Sequence, residues 1–108
     1  MKSIYLDNAA TSQVRDEVID AMATVLKSNY GNASSMHGFG RSSKSIIESC
    51  RKRIASHFNA LSSEIVFTAG GTEADNLVLY SAVRDLKVTH VITSKIEHHA
   101  VLHTIEQL

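Results

Sequence analysis

At 108 residues and 44% hydrophobic, the chain is long enough for one modest domain. Its 11 Lys and Arg balance its 11 Asp and Glu, so it lacks the electrostatic footprint of a nucleic-acid binder. The single cysteine, Cys50, excludes an internal disulfide framework and a CxxC site. No run approaches the roughly 18 apolar residues of a membrane helix, and the N-terminus lacks the apolar centre of a signal peptide. The expectation is a soluble, cytoplasmic protein with no nucleic-acid or membrane partner.

"SIYLD", Ser3 to Asp7, is a short strand-like run ending in the turn-prone Asp7-Asn8 pair. From Val14 onward, Val14, Val18, Met22, Val25 and Leu26 form an apolar stripe at helical spacing. Ser12 is the expected N-cap of this helix, and "SNYGN" around Gly31 its stop. A polar loop, "GNASSMHGFGRSS", is expected from Gly31 to Ser43, and structured loops of that length are usually functional. A second helix is predicted from about Ser43 to Phe58, with Ile46, Ile47, Cys50, Ile54 and Phe58 on one face. That spacing puts Cys50 on the buried side, where a thiol is protonated and unreactive.

"EIVFT", Glu64 to Thr68, reads as a buried strand, and "TEADNLVLYSAVRDL" as a helix with Leu77, Tyr80, Ala82 and Val83 among its packing residues. "THVITS", Thr89 to Ser94, reads as a second strand, and "HHAVLHTIEQL" opens another helix that is still running at Leu108. Strand, helix, strand, helix at this spacing predicts a βαβ unit, hence an α/β fold with a parallel pair and a right-handed crossover. There is no proline, repeat or low-complexity segment to mark a boundary.

Gly70 and Gly71 fall between the first of these strands and its helix. Open α/β sheets place their ligands at such a carboxyl edge. Without β-carbons the two glycines allow close approach of a ligand or a positive φ. The following helix directs its free N–H groups and its dipole at the loop, which suits phosphate, and Thr72 adds a hydroxyl. The competing reading is an ordinary turn, with Thr72 as N-cap and Asp75 in something like a capping box. The segment is neither a P-loop nor a G-x-G-x-x-G fingerprint.

Four blocks, "YLDNAATS" (5–12), "GNASSMHGFGR" (31–41), "FTAGGTEADNL" (67–77) and "EHHAVLHT" (97–104), together resemble the N-terminal part of cysteine desulfurases. These belong to the class V aminotransferase family of fold-type I pyridoxal 5'-phosphate (PLP) enzymes. The resemblance covers essentially the whole chain. It implies part of the PLP-dependent transferase fold, incomplete: residues 1 to about 60 as the N-terminal segment and helices, and 61–108 as the start of the PLP-binding large domain with the first βαβ of its sheet.

Carried over residue by residue, the resemblance implies that Gly71, Thr72 and the amide of Glu73 hold the PLP phosphate. His98, rather than His99, would stack on the pyridine ring and shuttle protons, a role that suits an imidazole near neutral pH. Asn8 and Ala9 would line the substrate pocket, and the loop Asn32 to His37 would lie near its mouth. Read from the residues alone, "EHHAVLH" is also a solvated helix start, or a metal pair, since His99 and His103 are spaced i, i+4. No further ligand joins them at familiar spacing, so no metal is expected.

Several family features have no counterpart among these residues: the lysine that anchors the cofactor, the Asp that pairs with the pyridine nitrogen, and the persulfide-forming cysteine on a mobile loop. Three readings follow. The first is an N-terminal fragment of a cysteine desulfurase, inactive alone. The intact homodimer would convert L-cysteine to L-alanine and an enzyme persulfide for iron–sulfur cluster or thio-cofactor assembly, delivered to a sulfur-acceptor or scaffold protein. The second is another class V PLP enzyme, a transaminase or selenocysteine lyase, and the third is a non-catalytic binding or dimerisation module.

Overall fold

Four α-helices and one 3-10 turn form the secondary structure of residues 3–108, the residues that the computed structural model describes. In chain order they are α1 (Asp16–Ser28), α2 (Gly38–His57), the 3-10 turn (Ser62–Glu64), α3 (Gly71–Arg84) and α4 (His99–Gln107). The chain divides into two units, Met1–Glu64 and Ile65–Leu108.

In the first unit, α1 begins with Asp16 and Glu17 and ends with Lys27, charges that complement the helix dipole at both ends. Its N-cap is Arg15, which makes no side-chain cap bond, so Ser12 does not cap it. Helix α2 starts at Gly38, five residues ahead of the predicted Ser43, because His37 supplies a cap: its Nδ1 accepts the Gly40 N–H at 3.4 Å. The loop is correspondingly shorter than expected. It is fastened to α2 by the Ser42 hydroxyl, which donates to Asn29 Oδ1 at 3.0 Å, and by Tyr30 stacked on Phe39 at 5.6 Å between ring centres.

A β-carbon on Gly40 would sit 2.6 Å from Asn32 O, so the loop backbone lies where a side chain would be. At its other end α2 closes on Asn59, whose φ is 52°, with the Ala60 N–H donating to Ala55 O at 3.0 Å. That is the 6→1 bond of a Schellman motif. The end of α1 and the loop share a cavity of about 240 Å³ with Ser43, Ile46 and Ile47. Cys50 lies one turn beyond the reach of that contact and is exposed, not buried as its spacing suggested.

In the second unit, α3 and α4 pack together. Helix α4 buries only Ala100 and Thr104, small residues one turn apart that allow close approach. Thr104 meets Asn76 of α3 in a hydrogen bond, and the Tyr80 hydroxyl donates to Gln107 Oε1 at 3.2 Å. Leu77, expected to pack, is exposed, whereas Tyr80, Ala82 and Val83 are half-buried.

No strand forms among the described residues, so the two strands expected at 64–68 and 89–94, and with them the βαβ unit, are absent here. A strand is defined by its ladder, and a lone pair is marginal without further strands or a covering helix. Of the β-branched residues that prompted the expectation, Val66 is 64% and Ile92 88% exposed, while Ile65 and Thr68 are half-buried.

Candidate functional site

The first turn of α3 presents three donors. Gly70 is the N-cap, with φ 176° and ψ 179°, and the first helical bond runs from the Ala74 N–H to Gly70 O at 3.1 Å. The N–H groups of Gly71, Thr72 and Glu73 therefore precede any helical carbonyl. The loop is tied without using them. Thr68 donates its hydroxyl to Gly70 O at 3.2 Å, and Glu73 Oε2 accepts the Ala69 N–H at 2.6 Å.

This arrangement corrects the turn reading. Thr72 sits inside the helix rather than at its cap, and Glu73, not Asp75, closes back over the helix start. No hydrogen bond among the described residues engages the Thr72 hydroxyl. Neither Gly70 nor Gly71 lies in the left-handed region, and a β-carbon on either would meet nothing within 4 Å. Their contribution is open space in front of the donors.

A cavity of about 320 Å³ adjoins this turn, lined by Thr72 and Asn76 of α3 and by His98, His99, His103 and Gln107. That volume lies at the lower end of the ~300–1,000 Å³ usual for small-molecule sites. His98 is the N-cap of α4, and its Nδ1 accepts the Ala100 N–H at 3.1 Å. With Nδ1 accepting, the neutral ring carries its proton on Nε2. His99 and His103 face one another at 5.1 Å between ring centres, and among the described residues no third ligand joins them.

Thr72 and His98, singled out from separate sequence blocks, thus line the same cavity. Gly71 directly precedes Thr72 in the first turn. Glu73 lines a different depression on α3, beside Leu77 and Tyr80, while its carboxylate is engaged by the Ala69 N–H. Asn8 and Ala9 belong to the first unit, in the turn at 8–10, where the Ala10 N–H donates to Asp7 O at 3.2 Å. In the loop at 32–37, Asn32 Oδ1 accepts the Ser34 N–H at 2.9 Å, and His37 caps α2. Asn76 and Thr104 were not anticipated. The i, i+4 spacing of Thr72 with Asn76, and of Ala100 with Thr104, is the signal that marks them.

Residues 4–108 match the family model described as Aminotransferase class-V. The chain belongs to the class-V aminotransferase family. Its relatives among class-V aminotransferases include the putative cysteine desulfurase IscS 1 of Bacillus subtilis (strain 168), 49% identical over 111 residues that take in 100% of this chain and 29% of that protein. The cysteine desulfurase IscS of Dictyoglomus turgidum is 47% identical over 112 residues, covering 99% of this chain and 28% of the relative. That of Methanosarcina thermophila is 49% identical over 106 residues, covering 95% and 26%. The chain therefore spans a little over a quarter of the length of these curated relatives. Class-V aminotransferases are PLP-dependent enzymes. Among the described residues of this member, no helix is long and apolar enough to cross a membrane.

Proposed function

We propose that these residues form the phosphate-binding and ring-stacking part of a PLP-dependent cysteine desulfurase. The observation that carries this reading is the single cavity shared by Thr72 and His98. The residues fit a phosphorylated planar group. Three unsatisfied N–H groups and an unengaged hydroxyl stand at the positive end of α3, beside glycines that leave room for it. A flat imidazole on the neighbouring helix completes the lining.

When bound, PLP supplies an electron sink for charge developing on the substrate carbon. The chain's own residues then have separate tasks. Gly71, Thr72 and Glu73 hold the phosphate through their amides, and Thr72 adds its hydroxyl. His98 would lie against the ring face, and with Nδ1 occupied by the Ala100 N–H, its Nε2 is the nitrogen that would hold or move a proton. Asn8 and Ala9 line the substrate side in the complete protein, and residues 64–68 and 89–94 join the large-domain sheet there.

The complete protein, in this reading, is a cytoplasmic homodimer that converts L-cysteine to L-alanine and leaves the sulfur on an enzyme cysteine for transfer to an acceptor protein. The names of the relatives support desulfuration over other class-V chemistry. These 108 residues bind the cofactor phosphate without turnover. The test has two arms. Pyridoxal phosphate is expected to bind this chain in competition with inorganic phosphate and more tightly than pyridoxal, and equal affinity for pyridoxal would defeat the phosphate assignment. With the complete protein and a thiol reductant to release the persulfide sulfur, alanine and sulfide are expected from L-cysteine, whereas amino transfer to a 2-oxo acid without sulfide would replace desulfuration by transamination.

A further inference from the structure

The Thr104 hydroxyl is the junction between α3 and α4. Thr104 is only 5% exposed, the most buried polar side chain of the second unit. Its Oγ1 lies 2.7 Å from Ala100 O, one turn back on its own helix, and it also meets Asn76 Oδ1 on α3. The hydroxyl has one proton, which serves one of these acceptors at a time. Donated to Asn76 Oδ1, the proton joins α4 to α3; donated to Ala100 O, it stays within α4, so the link between the helices is the Thr104–Asn76 arrangement.

From this junction each helix leads to one end of the cavity. On α4, Thr104 stands one turn after Ala100, whose N–H donates to His98 Nδ1. On α3, Asn76 stands one turn after Thr72, on the same face and in the same cavity. Ala100 and Thr104 are the fully buried residues of the second unit, and the other hydrogen bond between the helices, from Tyr80 to Gln107, is exposed and lies at the far end of α4. We infer that Asn76 and Thr104 are positioning residues: their hydrogen bond sets the distance between the donors at Thr72 and the ring of His98. The inference deepens the cofactor reading and rests on it for its ligand, but the spacing of the two helices is testable without any ligand.

The variants are Thr104→Val, which keeps the shape and removes the hydroxyl, Asn76→Ala, and Thr104→Ser, which keeps the hydroxyl. In the ligand-free protein, nitrogen NMR of the His98 ring is expected to report the Nε2–H tautomer alone. In Thr104→Val and Asn76→Ala it moves toward a mixture, and exchange of the Ala100 amide rises about fivefold, the effect of losing one net hydrogen bond. Thr104→Ser restores both signals.

Pyridoxal phosphate, which in the cofactor reading would be held by both helices, is expected to bind about fivefold more weakly to both disrupted variants. Inorganic phosphate, which needs only the α3 end, binds as in the parent. Unchanged ring and exchange signals in both disrupted variants would overturn the inference, as would equal weakening toward inorganic phosphate. If the parent fails to bind pyridoxal phosphate, the cofactor reading falls while the ring and exchange signals still decide the positioning role. If Thr104→Val loses its helical circular dichroism, Asn76→Ala against Thr104→Ser decides in its place.

Discussion

Glu73 reaches back over the start of its own helix, and its Oε2 accepts the Ala69 N–H at 2.6 Å. The loop is thereby pinned by a side chain that leaves the first three helical amides unspent. Glu73→Ala is expected to destabilise the second unit by about 1 kcal/mol, the usual cost of a lost N-terminal cap interaction. Thermal or urea unfolding followed by ellipticity measures it. Binding of inorganic phosphate by folded Glu73→Ala should fall less than twofold, because the donated groups are backbone amides. A tenfold loss at full helicity would instead mean that the carboxylate shapes the anion site.

Thr72→Val removes a hydroxyl and keeps the shape of the side chain. Hydrogen bonds to charged partners contribute about 1.5–3 kcal/mol. Pyridoxal phosphate affinity is therefore expected to drop about 10- to 100-fold, and Thr72→Ser to recover most of it. Titration against cofactor fluorescence gives both numbers. Parent-like affinity in Thr72→Val would remove the hydroxyl from the site.

At Gly71 stability and binding are expected to move in opposite directions. The residue is helical and a β-carbon there meets nothing within 4 Å. Gly71→Ala should thus stabilise α3 by about 0.5–1 kcal/mol, while the new methyl group enters the space in front of the amides and weakens phosphate binding. A turn without a ligand would show the first effect and not the second.

His98 combines two roles that substitutions separate. His98→Asn keeps a cap acceptor for the Ala100 N–H and loses the ring; His98→Phe keeps a ring and loses the acceptor. The first is expected to leave stability near that of the parent and weaken pyridoxal phosphate binding. The second should cost about 0.5–2 kcal/mol of stability and retain more of the affinity. The reverse pattern would make His98 a cap alone.

The parts of this structure that were legible in sequence are those set by local signals. The Gly70-Gly71-Thr72 start of α3 and the His98 start of α4 follow from glycine, cap and dipole chemistry within a few residues. The strands expected at 64–68 and 89–94 do not form here, because a ladder depends on partners elsewhere in space, while β-branched composition reports only a preference. Cys50 was misplaced for a related reason: helical spacing gives the face a residue shares, not whether another element covers it. The Asn76–Thr104 bond spans 28 positions: helical spacing marks the face each residue shares with its neighbour, but not that the two faces meet.

The early start of α2 supplies the last prediction. Gly38, Phe39 and Gly40 are poor helix formers, and two glycines cost about 1 kcal/mol each relative to alanine. The helix nevertheless begins there, because His37 caps it and the loop backbone lies against Gly40. The two glycines should therefore answer oppositely to the same change. A β-carbon on Gly38 meets nothing within 4 Å, so Gly38→Ala is expected to stabilise the first unit by about 0.5–1 kcal/mol. On Gly40 it would press on the backbone oxygen of Asn32, at 2.6 Å, and on that of Ser35. Overpacking of this kind costs about 1–3 kcal/mol, which outweighs the helical gain, so Gly40→Ala should be destabilising. Urea unfolding of the two variants tests the pair, and stabilisation by both would show that the loop does not hold its place on α2.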